Sequence, residues 1–287
     1  MNKLEPNKTY EVYDDLPNSQ VPPEGEQLFD DNYDKTPNPK TPLWQDLVFI
    51  ILAFLGLDLI VIIAQTIVVA FMRGQAYTDI AIASYLSSYQ FLSLVNFARY
   101  SIIFIVMAAI LFLTKTLLPI LKQFRKFRTF LYGVGMGFIV IFVSIIYNNF
   151  LAMIVPDFGS NENQNAVESV IKLYPLLSLI WIPFLGPIVE ELGYRLGLFN
   201  FLNKYNRLLA YVVSALIFGL IHFNLPSAGD ANYWAKVGVE VLNLPGYIIS
   251  GLLFNYIYEK ENLGTSIVAH VTNNLVSYIA TIIAMSA

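Results

Sequence analysis

The chain has 287 residues, 56% of them hydrophobic and 13% charged, with a mean hydropathy of +0.57, against roughly 45–50% apolar and about 25% charged in an ordinary soluble domain. So little charge cannot coat a globule of this size, and a formal net charge of −4, with nine of the 21 acids in the first forty-odd residues, argues against nucleic acid as a partner. The absence of cysteine excludes disulfides, thiolate metal sites and a cysteine nucleophile.

Such a composition predicts an all-α, polytopic integral membrane bundle of about seven helices (six to eight), because each crossing needs about 20 apolar residues. Residues 1–43 carry many acids, Pro and Asn, with Tyr10, Tyr13 and Tyr33 among them, and too few aliphatic clusters to order. They read as a disordered acidic cytoplasmic tail, not as a cleaved signal peptide, whose basic n-region is missing. The first span then serves as the insertion signal. Residues 44–172 hold the N-terminal spans, from Trp44 to Met72, about Phe91 to Thr114 and about Phe130 to Val155. The stretch from Tyr77 to Tyr100 mixes Ser, Tyr and Gln with apolar residues and reads as an interfacial helix or an extra half-span. Lys115, Lys122, Arg125, Lys126 and Arg128 crowd a loop without acids. The positive-inside rule places it in the cytoplasm, giving a multi-pass protein of the cell membrane with its N-terminus inside. The acidic segment with Asp157, Glu162 and Glu168 then falls outside. Residues 173–287 hold the remaining spans: one running inward from about Leu173, then Leu208 to Phe223, Val237 to Tyr258 and Thr265 to Met285. No internal repeat of the transporter kind is present.

Ionisable groups within lipid-spanning segments are costly and face a packed interior or a water cavity, so they are the functional candidates. The run from Pro187 to Arg195 puts Glu190, Glu191 and Arg195 into one helical stretch. Glu191 and Arg195 are i and i+4 and can pair, while Glu190 lies about 100° away and stays free to take a proton. Taken alone, that pair is as consistent with a structural ion pair as with catalysis. The chain has two histidines, His222 and His270, and both fall inside later spans. Measured from the expected inner turns, Glu190 and His222 lie roughly 21 and 27 Å along their helices, and His270 and Asn274 about 12 and 18 Å, at about 1.5 Å per residue. His270 and Asn274 share a helical face and both offer hydrogen bonds to an oxyanion; Phe218 shares a face with His222 and packs against its ring. A base, a water-orienting partner and an oxyanion site are the parts that water-mediated peptide hydrolysis needs. Asp58, in the first span, either lines the site or has a structural role, and Glu240, near the outer end of its span, is expected to reach water. A catalytic zinc held by Glu190, His222 and His270 is an alternative. The zincin helix signature is missing, so no cofactor is expected, with a divalent metal such as zinc left open.

At these residues the chain resembles the CAAX-protease and bacteriocin-processing (CPBP, or Abi) family of membrane peptidases, to which the prenyl-protein endopeptidases belong. The carriers are Glu190-Glu191-Leu-Gly-Tyr-Arg195, Phe218-Gly-Leu-Ile-His222 and His270-Val-Thr-Asn-Asn274, intact, in the family's order, each on its own predicted span. The resemblance covers about residues 173–285. It implies a helical bundle with a site sunk in the bilayer and open to the cytosol. Glu190 and His222 would activate water, His270 and Asn274 would stabilise the oxyanion, and Glu191 with Arg195 would hold their helix. It further implies an intramembrane endopeptidase acting on a peptide or membrane-anchored protein, in bacteriocin or pheromone processing, immunity or surface-protein processing. Two other classes remain: a non-catalytic membrane scaffold or immunity factor that binds through the same cavity, and a small-solute transporter using Asp58 and Glu240.

Overall fold

The computed structural model describes residues 36–155, 162–226, 229–230 and 232–286. Among these the chain is helical with no strand, in ten helices: α1 Leu43–Gly74, α2 Asp79–Leu86, α3 Tyr89–Leu113, α4 Leu117–Gln123, α5 Phe127–Ile154, α6 Glu162–Leu173, α7 Pro175–Asn203, α8 Arg207–Leu220, α9 Tyr233–Lys260 and α10 Leu263–Ser286. Six of them, α1, α3, α5, α7, α9 and α10, are long and apolar enough to cross a membrane. The segment expected as a further span is α8, at 14 residues, or roughly 21 Å at 1.5 Å per residue. Its end falls at Ile221, because Phe223 to Pro226 leave the helix. The uncertain stretch after α1 holds the eight-residue helix α2, with Thr78 accepting the Ala81 N–H as its cap.

Large apolar side chains such as Leu55, Phe71, Phe112 and Met153 stand exposed around the outside. In water such a surface would aggregate; against lipid tails it costs nothing. Interior contact instead depends on close helix approach. A Cβ on Gly133 would sit 2.6 Å from Val268, and one on Gly137 2.6 Å from Thr272, so α5 and α10 meet backbone to backbone. Gly193 and Gly197 do the same for α7 against Ala53 and Phe49 of α1. These crossings press α7 and α10, which carry most of the candidate residues, into the middle of the bundle.

One end of the bundle is tied by polar contacts. Of the expected tail, residues 1–35 lie outside the described residues, while residues 36–42 run as an extended strap across this end. Asn38 donates to the Tyr258 carbonyl and accepts the Leu263 N–H, and Gln123 donates to the Pro37 carbonyl and accepts the Gly264 N–H. Lys204 pairs with buried Asp46, Arg207 donates to Glu259 through Nε and Nη2, and Arg128 donates to Glu261 likewise. The basic loop, the α7–α8 turn and the α9–α10 turn are therefore neighbours. At the opposite end Tyr278 donates to the Pro175 carbonyl and Lys236 pairs with Glu162 and Asp230. Lys236 holds the half-buried Asp230 carboxyl below the usual carboxylate range. Glu240, expected in water, is 2% exposed. It accepts the backbone N–H groups of Glu162 and Asn224, which start α6 and follow α8; donors left over where helices begin and end recruited it inward.

Candidate active site

Helix α7 supplies both carboxylates, and it is not a regular α-helix. Pro183 and Pro187 lie inside it, each lacking the N–H that an α-turn would use. The chain widens into π-type turns at Trp181–Leu185 and again at Glu191–Phe199, on either side of Glu190. Widened turns of this kind recur where a helix must redirect functional side chains.

Glu191 is fully buried and held from three sides. Arg195 Nη1 lies 3.1 Å from Oε1, the Ser266 hydroxyl donates to Oε2 at 2.6 Å, and His270 Nδ1 stands 2.9 Å from Oε1. Arg195 is equally buried. Its guanidinium lies over the rings of Phe218 and Phe254 at 4.5 and 5.1 Å, and Nη2 donates to the Gly251 carbonyl at 3.4 Å. Arg195 Nε is buried without a hydrogen-bond partner, so the charge is held by Glu191, the Gly251 carbonyl and the two rings alone.

His270 is fixed twice over. Phe254 stacks on its ring at 4.5 Å with Phe218 edge-on at 5.8 Å. An ionised Glu191 can only accept, so the Nδ1 proton belongs to His270 and its Nε2 points the other way. There it meets Glu190, whose Oε2 is 3.7 Å distant. Glu190 is 14% exposed and accepts from the Tyr100 hydroxyl at 3.3 Å, and Tyr100 in turn stacks on Trp181.

His222 sits just past the end of α8, where carbonyls lack helical partners. Its Nδ1 lies 2.8 Å from the Phe218 carbonyl. A carbonyl only accepts, so Nδ1 carries the proton and Nε2 of the neutral ring is a free base. Tyr247 of α9 stacks on the ring at 4.4 Å, and Phe218 packs at 5.0 Å, as expected from their spacing. Asn274 donates to the Ile182 carbonyl at 3.1 Å through one amide N–H, and its oxygen accepts from Asn273.

Glu190, His222, His270 and Asn274 all line one cavity of about 680 Å³. Glu191 and Arg195 lie behind its wall. Asp58 is outside it, exposed on α1. Among the described residues no three His, Asp or Glu side chains are gathered closely enough to hold a metal ion, so Glu190, His222 and His270 share the cavity without forming a ligand cage. Sequence reasoning missed Ser266, Tyr100 and Tyr247. Ser266 had a signal, since it continues the His270–Asn274 face one turn earlier; the two tyrosines had none.

The cavity's exposed lining residues include Asn148, Asn149, Ala152 and Ser277, all on the halves of α5 and α10 remote from the basic loop. A cytosolic basic loop and a cytosolic opening are therefore incompatible in this fold.

Residues 172–276 match the family described as type II CAAX prenyl endopeptidase Rce1-like, a span that contains all three motifs. The chain is also similar to an uncharacterized protein of Mycoplasma capricolum subsp. capricolum, 27% identical over 170 residues, covering 55% of this chain and 46% of that protein. A second relative is the UPF0177 protein YvdC of Lactococcus lactis subsp. lactis, 25% identical over 108 residues, covering 38% of this chain and 40% of that protein. The chain spans less than half the length of these curated relatives. No solved structure matches. Residues 172–276, which contain the three motifs, are thus similar to the CAAX-protease family.

Proposed function

We propose that the chain is an intramembrane endopeptidase in which Glu190 and His222 activate water against a peptide carbonyl. The observation that carries this reading is the single cavity lined by Glu190, His222, His270 and Asn274. Water attacks the carbonyl carbon while its proton passes to Glu190 or to Nε2 of His222, and the departing amine takes a proton back as the C–N bond breaks. His270, once protonated on Nε2, donates to the forming oxyanion, and its charge is balanced by Glu191 on the other nitrogen. Asn274 supplies its second N–H to the same oxygen. Glu191, Arg195 and Ser266 are positioning residues. The chemistry asks for no metal, and a cleavage rate that falls with a chelator and returns with zinc would overturn that part. The substrate class is a peptide or membrane-anchored protein segment, in the setting of peptide maturation, immunity or surface-protein processing.

The test is cleavage of a panel of membrane-anchored peptides by purified protein in proteoliposomes. Glu190→Ala and His222→Ala should each reduce the rate by about 10²–10⁴-fold while the protein still accumulates in the membrane. If both variants keep the biological effect in full, the cavity is a binding site of a non-catalytic scaffold.

A further inference from the structure

We infer that the cavity admits its peptide substrate from the extracytoplasmic side of the membrane. The inference deepens the peptidase reading and rests on it for what happens inside; the sidedness stands on charge and depth alone.

Charge comes first. Lys40, Lys115, Lys122, Arg125, Lys126, Arg128, Lys204, Arg207 and Lys260 all lie at the strapped end of the bundle, whereas the opposite end has Arg73, Lys172 and Lys236 among the described residues. Lys and Arg bias of this size in short loops is what fixes orientation, so the strapped end is cytoplasmic.

Depth gives the second step. His270 is seven residues from the start of α10 at that end, roughly 10 Å at 1.5 Å per residue, whereas Tyr247 of α9 and Ser144 of α5 lie roughly 20 and 25 Å from it. The cavity therefore has its floor at His270 and Phe254 and widens away from the cytoplasm. Beneath the floor the space is filled by Leu196, Phe199, Tyr258, Leu263 and Ile267, all buried in one cluster.

The walls of the wide end give the third. Ser144, Asn148, Asn149, Asn163, Gln164 and Asn243 line it with hydroxyl and carboxamide groups. Each carboxamide offers donors and an acceptor, which is what an extended backbone presents at every residue. Their amide groups are held in place within the protein, Asn149 donating to the Ile145 carbonyl, Asn163 to the Tyr247 hydroxyl, Gln164 to Glu168 and Asn243 to the Val239 carbonyl.

The chain has no cysteine, so single cysteines report position directly. In intact cells, a membrane-impermeant maleimide should label Ala152→Cys, at the wide end, to the same extent as after permeabilisation. Arg125→Cys, in the basic loop, should label only after permeabilisation. The reverse pattern for either residue overturns the inference. Modification of Ala152→Cys with a bulky impermeant maleimide from outside should also abolish its cleavage of a surface-displayed peptide reporter relative to the unmodified variant; undiminished cleavage overturns the proposed route. Loss of the peptidase reading is distinguishable, because a chain that never cleaves, modified or not, still gives the same labelling pattern.

Discussion

Toward the basic loop the interior of the bundle is closed and dry: Phe49, Met107, Leu196, Phe199 and Leu263 interlock there, and three ion pairs bind the turns together at the rim. Toward the other end the same helices separate, and their facing sides carry Asn, Ser and Tyr around a cavity. The boundary falls at Glu191 and His270, where a buried carboxylate belongs to the closed half and the imidazole it holds looks into the open one. Two halves of the same helices thus do different work. Close packing sets where the candidate catalytic groups stand, and loosened packing leaves the space that the proposed peptide substrate would occupy.

That division fails or sharpens under substitution. The largest effect should come from Glu191→Ala, which strands the Arg195 charge in a closed interior and should cost about 3–5 kcal/mol of stability, read as a lower unfolding temperature in detergent together with loss of cleavage. The paired change Glu191→Met with Arg195→Leu should recover most of the stability but none of the cleavage. If cleavage returns as well, Glu191 does not act through His270. Gly133→Val, in the closed half, should cost about 1–3 kcal/mol by forcing α5 off Val268 and Thr265; an unchanged unfolding temperature would show that the crossing is looser than described. Ser266→Ala removes one of the donors to Glu191 and should cost roughly 1.5 kcal/mol, the lower end for a hydrogen bond to a charged group, with cleavage lowered through a less firmly held His270. Asn149→Ala, on the open side, should stay within about 0.5 kcal/mol in stability and show itself, if the carboxamides grip a peptide, as a higher KM with kcat retained.

Much of this was legible in the sequence wherever one helix carries the relation. Glu191 with Arg195, Phe218 with His222, and His270 with Asn274 are each four residues apart, and helix geometry alone makes them neighbours. Six of the spans were legible too, because each is a continuous apolar run, whereas the expected span from Leu208 to Phe223 is the 14-residue α8. Relations between helices were not. Tyr247 reaches His222 from α9 and Tyr100 reaches Glu190 from α3, and no spacing within the chain announces either. Glu240 was misread because its position near a helix end suggested water, whereas the donors at the start of α6 and after α8 pulled it inside. The direction in which the cavity opens depends on which halves of the helices pack, and that too belongs to the assembled bundle.

The two histidines are held by acceptors of different origin. Phe218 holds the His222 proton through its main-chain oxygen, an atom that every residue type possesses, so no codon change at that position deletes it. His270 depends on a side chain, and one mutation at Glu191 releases it. Under genetic drift, then, the first imidazole keeps its tautomer whatever side chain occupies position 218, while the second is the weak point through which a lineage would lose the proposed chemistry yet retain the cavity.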